Sequence, residues 1–378
     1  MDLDSLRLLL FKSDATDGCS SRTVLFRSST LQKQSRVFNE ELRVLVVRAV
    51  IGVGIDDQLR VRDVLLHDEG VDRGYVHVVT AVHDECWLLD RLQIVVGPLL
   101  LDAPLAYRRF GNANGVPLVF CQHYIGTMDY WDPTVTDGLA RDREVILFDN
   151  AGVSSSSGEV PTTFEQMGAN AIAFIKALGL KQVDLFGFSI GGMVVQEITL
   201  QAPDLVRRLI VDGAGPRGGQ GMELIAQATG RLFGAHPHDP PESVWLAVKF
   251  SPSAAGQAAG REYLKRTHRR QEGRDPEVND KVSPAQVEAI GKWGVQQKGA
   301  SDYLKTIKQP TLVVNGSNDV NIPTVNSFIM QQNMPNAQLI IYPDSNHGAH
   351  HQYPELFVEH ATLFLNAVTT TKEGCTHG

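Results

Sequence analysis

The sequence predicts an α/β fold: a doubly wound, mostly parallel sheet with a helical cap insertion. Three observations predict it. Short apolar runs such as Pro117–Cys121, Val145–Phe148 and Thr311–Val314 are continuous rather than alternating, as strands buried on both faces must be. Helix-period segments stand between several of those runs, the pattern that gives crossover connections and parallel strands. From about residue 216 to 305 the strand runs stop, and polar, helix-compatible sequence carrying Trp245 and Trp293 fills the gap before strands resume.

Residues 1–92 form an N-terminal segment of unclear structure. Leu42–Val47 and Val76–Val79 have strand-like composition, but no motif or repeat is visible. The main domain is expected over 93–378, with the cap at about 216–305. Leu92–Val96 and Ala106–Phe110 read as an opening pair of strands, and Gly111–Gly115 is a turn. The Pro117–Cys121 strand runs into Gln122–Thr127. The Val145–Phe148 strand ends in Asp149–Gly152 and a serine-rich loop. Thr162 and Glu165 stand at capping-box spacing. Behind them Phe164, Met167, Ala171, Phe174, Ile175 and Leu178 recur at helical intervals, and Gly179 closes the helix. Val183–Phe186 and Leu209–Val211 are further strands, and the five glycines between Gly213 and Gly221 mark a boundary. After the insertion come the strands Thr311–Val314 and Leu339–Tyr342. A closing helix begins at Pro354, with Leu356, Phe357, Leu363, Phe364 and Leu365 expected on its inward side.

The 378 residues are 43% hydrophobic and 21% charged, ordinary for a globular chain. A formal net charge of −8 argues against nucleic acid or an anionic membrane as partner. Cys19, Cys86, Cys121 and Cys375 show no C-x-x-C spacing and suggest neither a disulfide framework nor a zinc site. Cys121 ends an apolar strand and reads as a small core residue. Asp2 and Asp4 stand where a signal peptide would be basic. The Leu42–Ile55 run is too short, and too interrupted by Arg43 and Arg48, to span a membrane. A soluble, cytoplasmic protein is expected.

The chemistry centres on Gly187-Phe188-Ser189-Ile190-Gly191, set between a strand and a helix. This is the G-x-S-x-G elbow, in which a serine is lifted on a strained turn and glycines two residues either side relieve crowding. A serine hydroxyl needs a base, and the base needs an orienting acid, in the order serine, acid, histidine. Asp319, in the loop after the Thr311–Val314 strand, is the favoured acid; Asp212, just beyond the preceding strand, is its rival. His347, after the last strand, is the expected base. His350 and His351 stand close by and are expected to line the loop or face solvent. The amide of Ile190 is one expected oxyanion donor; the other is Ile125, with Tyr124 as the alternative. His123 is expected to brace that loop. Tyr124, Met128, Tyr130 and Trp131 are candidate pocket walls, with the core as the alternative place for the aromatic pair Tyr130 and Trp131. His236-x-His238 and His350-His351 lack partners for a metal site, and no nucleotide-binding glycine motif is present. No cofactor is implied, and the expected partner is a small-molecule substrate.

Taken together, Gln122-His123 to Asp132, Phe148–Gly152, Gly187–Gly192, Gly215-Pro216-Arg217-Gly218-Gly219 and Asp344-Ser345-Asn346-His347-Gly348 resemble the α/β-hydrolase superfamily. The nearest flavour is the cap-bearing branch that includes cofactor-free haloperoxidase-like esterases. The resemblance covers about residues 93–368 and implies Ser189, Asp319 and His347 as nucleophile, acid and base. It implies a serine hydrolase acting on a small ester, lactone or related acyl compound through an acyl-enzyme. Carbon–carbon bond hydrolysis, acyl transfer, perhydrolysis and non-catalytic binding of a small molecule share the fold. Serine at the elbow argues against the dehalogenase and epoxide hydrolase branches, which use aspartate. Two departures stand out. The oxyanion loop reads His123-Tyr124 where the family has His-Gly, and Val153 with four serines follows Gly152.

Overall fold

The computed structural model describes residues 105–234, 240–271 and 273–367, together with the backbone of short strands before residue 97. Eight strands form the main sheet: β1 (Ile94–Val96), β2 (Leu105–Gly111), β3 (Leu118–Cys121), β4 (Glu144–Phe148), β5 (Val183–Phe188), β6 (Val206–Asp212), β7 (Thr311–Gly316) and β8 (Ala337–Tyr342). Their order is β1-β2-β4-β3-β5-β6-β7-β8. The pairs from β4 through β8 are parallel, while β1–β2 and β2–β4 are antiparallel. This is the mostly parallel sheet that the apolar runs predict. Residues 118–121, 145–148, 183–188 and 311–316 are buried throughout. Of the earlier strand-like segments, residues 77–79 of Val76–Val79 fall on the strand His77–Thr80, and Leu42–Val47 lies outside the described residues.

Helices cover both faces. The α1 helix (Pro133–Ala140) and the C-terminal α10 (Pro354–Asn366) pack on one face, where Val135, Leu139, Phe357 and Phe364 meet Leu118, Phe120, Phe186 and Ile210. The other face receives α2 (Phe164–Ala177), α3 (Ile190–Gln201) and α8 (Val325–Asn333). There Met167, Phe174, Ile198 and Met330 meet Val119, Cys121, Leu185 and Val211. Alternate strand residues thus feed two separate apolar layers. Phe357, Phe364 and Leu365 turn inward as expected. Leu356 and Leu363 do not: they are 41% and 72% exposed, because one stripe of α10 meets α1 and the sheet, and both lie off it. The α2 cap also differs by one residue from the sequence expectation. Thr163, not Thr162, accepts from the Gln166 amide at 3.1 Å, and Thr162 instead accepts from Lys292 Nζ at 3.0 Å.

Between β6 and β7 lies the insertion, built of α4 (Ile225–Phe233), α5 (Glu242–Lys249), α6 (Ala254–Thr267) and α7 (Val282–Trp293). Trp245 and Trp293 are both buried in it, and the Trp293 indole donates to Gly215 O at 3.1 Å. Among the described residues no helix is long and apolar enough to cross a membrane.

Candidate active site

The carboxyl ends of β3, β5, β6, β7 and β8 bring five loops to one edge of the sheet, the usual ligand edge of a parallel α/β sheet. The loop after β5 is the sharpest. Ser189 has φ 57° and ψ −123°, a conformation rare for a residue with a side chain. Its amide donates to Asp212 O at 2.9 Å. A Cβ at Gly187 would run into the Gly191 carbonyl, and one at Gly191 would run into the Cys121 carbonyl. The two glycines are therefore needed for close backbone approach. The α3 helix starts at Ile190, with its first-turn amides directed at the edge.

His347 and Asp319 meet at that serine. His347 Nε2 lies 2.9 Å from Ser189 Oγ, and His347 Nδ1 lies 2.8 Å from Asp319 Oδ2. Asp319 Oδ1 accepts from the amides of Asn321 (2.8 Å) and Ile322 (2.9 Å), which fixes the carboxylate plane. The acid loop and histidine loop are tied together, since Asn318 N donates to Ser345 O at 2.9 Å and Val320 N to Asn346 Oδ1 at 2.9 Å. The rival acid is engaged elsewhere: Asp212 Oδ2 sits 2.7 Å from His350 Nδ1. Burial raises the Asp212 pKa, and the neighbouring His350 opposes that rise. His350 and His351 are fully buried rather than solvent-facing. The short α9 helix (Ala349–Gln352) tucks both rings against Phe188, with centroids at 4.5 and 5.4 Å.

The loop after β3 differs from the sequence expectation. Ile125 takes φ 48°, and its amide donates to the side-chain oxygen of Gln286 on α7 at 2.7 Å. That amide is turned to the insertion and is not available to the cavity beside Ser189. Tyr124 lines that cavity, and among the described residues nothing accepts from its amide. The alternative donor, Tyr124, is therefore the one whose amide remains for a ligand. The pocket-wall expectation is corrected in the same way. Met128 and Trp131 lie in the apolar layer under the sheet, and Trp131 packs edge-on against Phe120 at 4.9 Å. The turn at Ile125 and the 3₁₀ turn Met128–Tyr130 carry both away from the cavity. His123 braces the loop: its Nδ1 donates to Tyr124 O at 2.9 Å.

The insertion grips this loop along its length. Tyr124 Oη and Ser283 Oγ are 2.7 Å apart. Tyr263 Oη donates to Tyr130 O at 2.8 Å, and Arg266 binds both oxygens of Asp132 at 2.8 and 2.6 Å. Beneath, Arg108 on β2 bridges Asp129 (2.7 Å) and the insertion's Asp275 (2.8 Å). Burial pushes the Asp275 carboxyl up to about 6; the Arg108 charge opposes this and the Asp129 charge adds to it. The serine-rich loop is tied in too, since Ser156 Oγ donates to Asp149 O at 2.7 Å and accepts from Ala106 N at 2.9 Å.

The cavity measures about 30 Å³, room for about two water-sized groups. Ser189, His347, Tyr124, Trp245, Phe233 and Lys249 are among the residues that line it. Lys249, Ser283 and Gln286 are the site residues that sequence reasoning missed. Ser283 and Gln286 stand three apart on one helix face, a pattern with nothing local to identify its partner. Lys249 carried a signal: it sits in Trp245-Leu246-Ala247-Val248-Lys249-Phe250, a lone charge inside an apolar run.

Comparison with known proteins agrees with this fold. Residues 64–360 match the Alpha/beta hydrolase family. RutD of Rhizobium rhizogenes, assigned as a carbamate hydrolase by name alone, is 24% identical over 253 residues, which span 64% of this chain and 89% of that protein. BpoC of Mycobacterium tuberculosis, a non-heme bromoperoxidase by name, is 23% identical over 259 residues, spanning 65% and 91%. A solved alpha/beta hydrolase fold protein from Chitinophaga pinensis superposes with a TM-score of 0.68 at 36% identity, covering 72% of this chain and 97% of that one. The chain belongs to the alpha/beta hydrolase family.

Proposed function

We propose that this hydrolase is a serine hydrolase that cleaves a small ester, lactone or related acyl bond. The observation that carries the reading is the unbroken chain of contacts from Ser189 Oγ through His347 to Asp319. In this reading His347 takes the serine proton as Oγ attacks the carbonyl carbon, and Asp319 steadies the imidazolium that results. The developing oxyanion is held by the amides of Tyr124 and Ile190. His347 then returns the proton to the leaving group. Water, activated by the same imidazole, releases the acyl group from Ser189. The small cavity favours a compact acyl group. Since RutD carries a carbamate hydrolase name, carbamates belong in the substrate panel beside esters and lactones. The helical insertion acts as the cap that selects among them.

The test is covalent labelling with a fluorophosphonate, followed by the substrate panel. Native protein should label at Ser189. Asp319→Asn should slow labelling by about 10⁴-fold, as loss of the orienting carboxylate does in serine proteases, while Asp212→Asn leaves it within a few-fold. A folded native protein that does not label would sink the reading in favour of a binding role. Equal losses in the two aspartate variants would overturn the acid assignment.

A further inference from the structure

Lys249 ends α5 with its side chain turned into the molecule, 1% exposed. Its Nζ donates to Tyr263 Oη at 2.8 Å and lies 3.3 Å from His123 Nε2. His123 donates through Nδ1 to Tyr124 O, so Nε2 is an acceptor for the lysine. Tyr263 donates its own hydrogen to Tyr130 O, so its oxygen is likewise an acceptor. Two acceptors match the two N–H bonds of an uncharged amine. The rings of Trp245 and Tyr263 lie 4.6 and 4.8 Å from Nζ, able to face a cation as well as an amine.

Lys249 has no counter-ion among the described residues. Among the described residues no carboxylate pairs with it. Asp132, whose charge does reach it, is bound through both oxygens by Arg266. Burial holds the amine well below the ordinary lysine range, and Asp132 only partly opposes this. A buried amine without an anion stands beside the cavity that holds Ser189 and His347. A ligand that carried an anionic group would supply the missing partner.

We propose that Lys249 recognises a carboxylate on the compound that occupies the cavity beside Ser189. The inference deepens the hydrolase reading and rests on it for the identity of this cavity as the acyl site. As the carboxylate enters, the amine takes up one proton from solvent and an ammonium–carboxylate pair forms inside the aromatic wall. His347 lines the same cavity; the groups beside Nζ itself that could take that proton are His123, from the loop after β3, and His351, from α9. Both are held neutral chiefly by burial. The phenols of Tyr130 and Tyr263 and the Asp132–Arg266 pair complete the polar surroundings.

Calorimetry on the full chain, with acetate and with its neutral isostere acetamide, tests this. The titrations are run near neutral pH in two buffers of different ionisation enthalpy. Acetate should bind at least about tenfold more tightly than acetamide, the size of one charge-assisted contact, with close to one proton taken up per acetate. Lys249→Met should lose both the preference and the uptake. Equal affinities in the native protein, binding of neither ligand, acetate binding without proton uptake, or a preference that survives in Lys249→Met would each overturn the proposal. The native comparison stands even if the variant folds poorly. Fluorophosphonate labelling of the same sample reports on Ser189 separately, so loss of the hydrolase reading and loss of the carboxylate site are distinguishable.

Discussion

Ser189 and Tyr124 face one cavity, yet they are held by different kinds of contact. The elbow around Ser189 is set by backbone: a strand register with β6, a hydrogen bond from the Ser189 amide to Asp212 O, and two glycines that let the main chain close in. The loop around Tyr124 is set by side chains from far along the chain. Ser283, Gln286, Tyr263, Arg266 and Asp275 reach it from the insertion. The elbow is therefore a property of its own few residues and the sheet. The loop is a property of how the insertion docks. Ile125 makes the contrast concrete, because its left-handed backbone is matched by a Gln286 contact rather than by a glycine.

If that contrast holds, the largest effect comes from crowding the elbow. Gly191→Ala would drive a Cβ into the Cys121 carbonyl, and only strand β3 or helix α3 could give way. The expected outcome is a loss of about 1–3 kcal/mol or more in stability, read by urea unfolding, together with loss of Ser189 labelling. An alanine variant that melts and labels like the native chain would mean that the backbone does not fix the elbow.

A smaller effect, and a sharper one, is expected from Gln286→Leu. Unfolding should change little, while fluorophosphonate labelling of Ser189 slows by about 10- to 100-fold. That is less than the 10²–10³ typical of deleting an oxyanion donor outright, since the Tyr124 amide, the donor proposed above, is still present. Unchanged labelling would mean that the loop holds its shape without the insertion.

The smallest effect is a pH dependence where insertion and loop join. The Asp275 carboxyl is raised from its ordinary 3.8 to about 6 in the folded chain. A raised folded pKa gives a stabilising contribution that is complete below the unfolded value and is lost as pH rises through the folded one. Native protein should thus lose about 1–2 kcal/mol relative to Asp275→Asn between roughly pH 4.5 and 6.5. The companion Asp129 is buried too, but Arg108 holds its carboxyl below the usual range, so its own contribution changes only at lower pH. A difference between native and variant that is flat across that window would show that Asp275 is not strained by burial.

Much of the fold was legible because its signals are local. Continuous apolar runs marked β3, β4, β5 and β7, and helical spacing from Phe164 to Leu178 marked α2. The order of Ser189, Asp319 and His347 along the chain anticipated three side chains that do meet. The misreadings share one cause. Met128 and Trp131 looked like pocket walls, Leu363 like core, and His350 and His351 like loop residues. In each case the residue type was informative, but the direction in which the chain turned was not.

From the sequence alone, then, came the sheet, the strained serine and the histidine that meets it, since strand burial, tight turns and helix periodicity depend on near neighbours. Only the tertiary structure decided which amide faces the cavity, which aspartate is free for His347, and that Lys249 lies buried with no carboxylate paired to it among the described residues. The first and third arise where the insertion docks on the sheet edge, and the second from the Asp212–His350 contact; each joins residues more than a hundred positions apart, and no local pattern records such a pairing.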